Sequence, residues 1–275
     1  MTQLGLAACE GAPRDLGLDQ GRALRDEIRA DLRALRCEVR SRRFGRLFAK
    51  PTHGFDAGFA RDLARHFPHL DERLTGVADG VGCAREAIAA LTALELAQDL
   101  AAVARFDPAA KRLELAWRAG LPPTGLAARN VRPDGGYANL SVTRPGLVFG
   151  VAGVNEHGLA GVAQLEQWAL PGDRCRASGV LLLEQCIERL DAVEKALEWC
   201  ERRPGGGRAL LVFADAAGAA GAIEIDGEQR KRVEAPTAPC SECAGPRLRV
   251  DPAARVIEIE GGGVSPARWT LDSGR

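Results

Sequence analysis

Apolar residues in the first hundred positions recur at helical spacing. Leu24, Ile28, Leu32, Leu35 and Val39 share one predicted helix face, with Arg, Asp and Glu filling the other. Pro51 and Gly54 mark a break. Phe55, Phe59, Leu63 and Phe67 then repeat every four residues up to Pro68. Leu70, Leu74, Val77 and Val81 continue the rhythm until Gly80 and Gly82 end it. Ala84 to Val103 predicts one more helix, rich in Ala. Near residue 110 the period falls to two, with Leu113, Leu115 and Trp117 alternating with Glu114 and Ala116. After a turn at Pro122 and Pro123, Leu126 to Val131 predicts the returning strand. Leu147 to Val154 and Leu159 to Leu165 are apolar runs joined by Asn155-Glu156-His157-Gly158, a β-hairpin with turn residues at its tip and Gly158 suited to a positive φ.

Ser178 predicts the N-cap of a helix running to about Arg189. Asp191 with Glu194 predicts a capping box for a second helix, ending at Pro204. Ala209 to Phe213 with Ala222 to Ile225 predicts another hairpin. Arg247 to Val250 with Val256 to Glu260 predicts the last, turning at Asp251-Pro252. Hairpins build antiparallel sheets, so the order implies an α+β protein and excludes a doubly wound parallel sheet. Residues 1–105 are expected to be helical, with no strand before residue 100. Residues 106–275 are expected to form one compact sheet-bearing unit packed on them.

Composition narrows the function. The 275 residues are 46% hydrophobic and 27% charged, the balance of a soluble globular protein. Thirty-seven basic residues meet thirty-seven acidic ones, so no global field draws nucleic acid or an anionic membrane. Charged residues break every apolar run below membrane-spanning length, and no basic stretch precedes an apolar one at Met1. With eight Cys scattered mostly singly, this predicts a cytoplasmic protein with reduced, buried thiols.

Familiar catalytic signatures are few. Walker, GxGxxG, HExxH and GxSxG patterns are absent from the sequence. Cys240-Ser241-Glu242-Cys243 has half a zinc knuckle's spacing without a second close pair, and His66 and His69 are separated by Pro68. No metal or cofactor is expected. The basic run Arg36, Arg40, Arg42, Arg43, Arg46 and Lys50 reads as cations at a helix C-terminus, or alternatively as the rim of an anion pocket.

Several stretches, in order, resemble the acyl-CoA:6-aminopenicillanic-acid acyltransferase-like family of N-terminal-nucleophile hydrolases. They are Glu10-Gly11-Ala12-Pro13-Arg14-Asp15-Leu16-Gly17 with Gln20-Gly21, then Leu74-Thr75-Gly76-Val77-Ala78-Asp79-Gly80-Val81-Gly82, then Ala128-Arg129-Asn130. Gly153-Val154-Asn155-Glu156-His157-Gly158-Leu159-Ala160 and the region from Ala209 to Glu224 complete the set, which spans roughly residues 9–226. The resemblance implies a four-layer αββα sandwich with a helical N-terminal segment.

That family's chemistry uses a Cys at the start of a strand shortly before the Arg-Asn pair. Autocleavage frees the α-amine of that Cys, the thiol attacks an acyl group, and the amine serves as base. Counting back from Asn130, the matching strand is Arg112 to Trp117, and no Cys, Ser or Thr lies from Ala93 to Pro123. The family's aspartate after Arg-Asn is replaced by Val131-Arg132. Its Asn before the Ala-Asp strand gives way to Gly205–Arg208, and its His-Thr-Asn to Ala238-Pro239-Cys240-Ser241. The resemblance therefore implies a degenerate member that binds a small acyl or peptide ligand or a protein partner, as a monomer or a homo-oligomer. Arg129, Asn130, Asn155 and Glu156 are its candidate cleft residues. The rival reading is an active amide hydrolase or acyltransferase with a displaced nucleophile at Cys175, Ser178 or Cys83. A third is an unrelated structural or interaction protein.

Overall fold

The structure is a computed structural model that describes residues 5–34, 55–97, 102–118, 125–167, 175, 177–239, 243–261 and 265–271. The strand β1 (Gly5–Gly11) precedes the helices α1 (Pro13–Ala23), α2 (Arg25–Ala34), α3 (Phe55–His66), α4 (Pro68–Val81) and α5 (Arg85–Ala97). The predicted stripes are buried, from Leu24, Ile28 and Leu32 through Phe59, Leu63 and Phe67 to Leu70, Leu74, Val77 and Val81. Leu35, Val39 and the basic run Arg36–Lys50 lie outside the described residues.

The N-terminal segment is not helical throughout. In β1, buried Ala7 and Cys9 alternate with exposed Leu6, Ala8 and Glu10, and the strand pairs in parallel with β4 (Ala127–Pro133). The pattern is short and made of small residues, so the sequence signal is weak. At the other end β2 (Ala102–Asp107) takes over the tail of the expected helix.

Thirteen strands among the described residues form two sheets. The eight-stranded sheet runs β1, β4, β5 (Asn139–Thr143), β6 (Ala152–Asn155), β7 (Ala160–Gln167), β8 (Arg208–Ala214), β9 (Ala220–Asp226), β10 (Gln229–Val233). The five-stranded sheet runs β13 (Ala267–Thr270), β12 (Val256–Glu260), β11 (Arg247–Asp251), β3 (Arg112–Trp117), β2. Within the sheets every pairing except β1 with β4 is antiparallel. The sheets stack face to face, with α1, α6 (Leu181–Arg189) and α7 (Val193–Arg202) laid on the eight-stranded one. The α+β sandwich with a largely helical N-terminal segment is therefore present. No described helix is long and apolar enough to cross a membrane.

Local corrections follow from tertiary packing. The strand expected to return after β3 is β4, and it lies in the other sheet. Leu147 to Val151 is a buried loop rather than strand, and Thr143 Oγ1 donates to the Phe149 carbonyl within it at 2.6 Å. The N-cap positions are Val180 and Ala192 rather than Ser178 and Asp191, although Ser178 Oγ accepts from the Val180 N–H at 3.4 Å. His66 ends α3 and His69 begins α4, so they do not share one helix. Cys243 is disulfide-bonded, against the expectation of thiols only, while Cys9, Cys83, Cys175, Cys186 and Cys200 are buried. Cys240 lies outside the described residues.

Two of the recognised stretches turn out to be one contact. Gly17 and Gly21 on α1 face Gly76 and Gly80 on α4. A Cβ at Gly17 would stand 1.9 Å from the Arg73 carbonyl, and one at Gly76 the same distance from that of Arg14. Only hydrogen at these positions lets the backbones touch, as at small-residue helix crossings.

The outer face of the five-stranded sheet is polar. Cross-strand register aligns Arg268, Glu258, Arg249, Glu114 and Arg105 in one row of alternating sign across all five strands. Arg268 pairs with Glu258 at 2.8 Å, Arg249 with Glu260 at 2.8 Å and Arg112 with Asp251 at 3.1 Å. Opposite charges on neighbouring strands support the ladder and let this face meet water.

Candidate functional site

Arg129 is the residue around which the polar interior is organised. Its strand partner Ser141 shares its face. The Arg129 guanidinium donates to Ser141 Oγ at 3.0 and 3.2 Å, to Gln20 Oε1 at 3.1 Å and to both oxygens of Glu184 at 3.0 and 3.1 Å. Gln20 lies on α1 and Glu184 on α6, so Arg129 points into the helical layer, away from the other sheet.

Glu184 is the hub. Arg73 Nη1 donates to its Oε1 at 2.5 Å and the Gly150 N–H to its Oε2 at 2.6 Å. Arg73, carried on α4 across the glycine contact, also pairs with Glu188. Gln20 Nε2 donates to the carbonyls of Pro145 (3.0 Å) and Leu147 (2.7 Å), tying the network to the β5–β6 loop. Arg73 and Arg129 are each 1% exposed. Burial pushes the Glu184 carboxyl up, but Arg129, Arg73 and the Gly150 N–H outweigh it and hold the group below its ordinary range. For Glu188 burial wins, helped by Glu184, and its carboxyl is raised despite Arg73. The two acids, one turn apart on α6, thus have opposite characters set by the number of donors each faces.

The other candidates occupy separate places. Asn155 is fully buried. Its Nδ2 donates to the carbonyls of Ile187 (2.9 Å) and Leu190 (2.7 Å), and its Oδ1 accepts from the N–H groups of His157 and Leu159, both at 3.0 Å. It closes the β6–β7 turn and covers the end of α6, with Gly158 at the expected positive φ of 81°. Exposed Glu156 accepts from the Ala138 N–H at 3.0 Å. Asn130, next to Arg129, alternates to the opposite face and keeps a buried Oδ1 without a hydrogen-bond partner. The structure therefore does not bring Arg129, Asn130, Asn155 and Glu156 into one cleft.

The displaced-nucleophile candidates are buried as well. Ser178 is 0% exposed, and its Oγ accepts from the Val180 N–H at 3.4 Å. Cys175 Sγ faces the Ala177 carbonyl at 3.7 Å. Cys83 follows α4, its N–H bonded to the Ala78 carbonyl at 3.0 Å.

Beneath the Arg129 face, the space between the sheets is largely apolar. Ala128, Leu140, Val142, Val154, Val162 and Val212 of one sheet and Leu113, Leu115, Trp117, Leu248, Val250 and Ile257 of the other are all buried, and the Ala104 N–H donates across the sheets to Gln164 Oε1 at 3.1 Å. β3, the strand counted as the nucleophile's, contributes to this layer and pairs with β2 and β11, whereas β4 is flanked by β1 and β5.

Sequence reasoning missed Gln20, Arg73, Ser141, Glu184 and Glu188. A signal was present: Glu184 and Glu188 sit four apart within an apolar helix, and Gln20 stands in the first recognised motif. Cys9 was missed too. It shares β1 with Ala7, the strand partner of Arg129. Burial raises its thiol pKa, against the pull of Arg129 and Arg73.

No protein-family model and no curated protein matches the chain. Among solved structures it is similar to penicillin V acylase from Agrobacterium tumefaciens, with a TM-score of 0.41 and 9% identity, over 61% of this chain and 84% of that one.

Proposed function

We propose that this chain is a non-catalytic relative of the N-terminal-nucleophile acyltransferases and amidohydrolases, keeping a sandwich of that type and acting by binding a small acyl or peptide ligand or a protein partner. One observation carries the reading. Arg129, which the resemblance would place at the reacting centre, spends its donors on Gln20, Ser141 and Glu184 inside the helical layer. Acyl transfer needs a nucleophile held against a base, and oxyanion donors facing the same point. Here Ser178, Cys175 and Cys83 are buried, and Ser178 Oγ and Cys175 Sγ face backbone groups. The ordered motifs support kinship, while their residues serve packing: glycines at a helix crossing, Asn155 at a turn, Arg129 in an ion network.

The test combines processing, turnover and binding on the full chain. Intact mass should show one species near 29.2 kDa. Acyl-amide, penicillin-type and acyl-CoA substrates should not turn over, and a panel of acyl amides and short peptides should contain members that raise the melting temperature. Two stoichiometric fragments cut within residues 93–123 would overturn the reading. So would turnover abolished by Cys175→Ala, Cys83→Ala or Ser178→Ala with the circular dichroism spectrum unchanged.

A further inference from the structure

Cys186 and Cys200 hold their sulfurs 3.6 Å apart, Cys186 near the middle of α6 and Cys200 near the end of α7. Both are free and 0% exposed. Both belong to the hydrophobic core, with the Cys186 sulfur also 3.9 Å from the Ala196 carbonyl. Two thiols in van der Waals contact on elements joined by a three-residue link are more than two core fillers. A disulfide needs sulfurs at about 2.05 Å, so closure asks for an approach of only about 1.5 Å.

We propose that Cys186 and Cys200 are a redox-closable pair that forms a disulfide and staples α7 to α6. With a peroxide as oxidant, one thiolate attacks the peroxide oxygen, giving a sulfenic acid and one water. The second thiol displaces that hydroxyl, forming the S–S bond and releasing a second water. The two sulfurs lose two electrons and the peroxide gains them. A small disulfide such as oxidised glutathione reaches the same product by exchange, releasing two glutathione thiols.

Burial sets the kinetics. It raises the Cys186 thiol well above its ordinary value, and the hydrogen bond with Cys200 adds to this, so thiolate is scarce while the helices are closed. Oxidation therefore passes through opening of α7. That helix is amphipathic and buries only Val193, Ala196, Leu197 and Cys200. Its last turn is the element that can fray. Once formed, the bond closes a short loop around the link between the helices. It also fixes α6, which carries the Glu184 hub, so the oxidised form resists unfolding more strongly than the reduced one.

The test uses the full chain. Reduced protein is treated with hydrogen peroxide or oxidised glutathione, with and without urea below the unfolding midpoint. Free thiols are then alkylated in denaturant, and the chain is digested without reduction. The expected product is one cross-linked peptide pair joining Cys186 to Cys200, 2 Da lighter than its two thiol peptides. Its formation should be faster in the sub-denaturing urea. The melting temperature should rise by about 5 °C and fall back on reduction. Cys200→Ala should show neither the cross-link nor the rise. Recovery of both residues as alkylated thiols, a cross-link from Cys186 to another cysteine, or a cross-link that leaves or lowers the melting temperature would each overturn the proposal. The wild-type peptide map decides the matter even if the variant fails to fold.

Discussion

Replacing Glu184 by Gln tests the hub directly. Both carboxylate oxygens receive N–H donors: Arg73 and Arg129 at Oε1, and Gly150 and Arg129 at Oε2. A Gln keeps one acceptor oxygen and must turn its NH2 towards either Arg73 or the Gly150 N–H, donor against donor. It also removes the charge that faces two guanidiniums, each 1% exposed. Breaking a buried pair from one side costs about 3–5 kcal/mol, because the partner charge stays buried. A mismatched donor adds about 1 kcal/mol. We expect Glu184→Gln to lose about 4–6 kcal/mol, a large fraction of the ~5–15 kcal/mol that stabilises a domain. Glu188→Gln is the internal control. Its carboxyl is held above its ordinary value by burial and has one cationic partner, Arg73. We expect it to cost about 1–2 kcal/mol. Urea unfolding of wild type and both variants, followed by tryptophan fluorescence and far-ultraviolet circular dichroism, measures the two losses. A loss below about 1 kcal/mol for Glu184→Gln, or a larger loss for Glu188→Gln, would refute the assignment of Glu184 as the hub.

Other residues make separate forecasts. Asp31 is 7% exposed, and burial, with Glu27 adding and Arg144 opposing, raises its carboxyl to about 7. A raised acid penalises the folded state as it ionises, so its cost grows from about pH 4 to pH 7 and then stays constant. Asp31→Asn should therefore gain up to about 4 kcal/mol at pH 8 and almost nothing at pH 4, and an equal gain at both values would disprove the linkage. Gly17→Ala places a Cβ 1.9 Å from the Arg73 carbonyl and must push α1 off α4. It should lose more than about 3 kcal/mol in chemical denaturation, and a neutral result would show that the crossing yields. Asn155→Asp keeps the acceptor for His157 and Leu159 but sets a carboxylate against the carbonyls of Ile187 and Leu190. A loss of about 2–3 kcal/mol is expected, and Asn155→Asp should cost more than Glu156→Ala.

What the chain carries locally was legible without coordinates. The stripes through Leu24, Phe59 and Leu74, the strand alternation at Leu113 and the turn at Asn155–Gly158 each lie within a window of about ten residues. Over such a window the backbone period and the side-chain pattern are the same information. Gln20, Arg129 and Asn155 were also visible as residues. What they do was not. Alternation along β4 says that Arg129 and Asn130 face opposite ways, but only the placement of α1, α4 and α6 decides that Arg129 meets Glu184 while Asn130 does not. The glycines of α1 and α4 read as two separate motifs until the helices cross, since a 1.9 Å clash exists only between segments some sixty residues apart. β1 pairs with β4 more than a hundred residues away, and β3 and β4 join different sheets although they are near neighbours in sequence. Local propensity has no term for such distances. They are settled by which apolar faces can be buried together, and by which buried charges must then find one another.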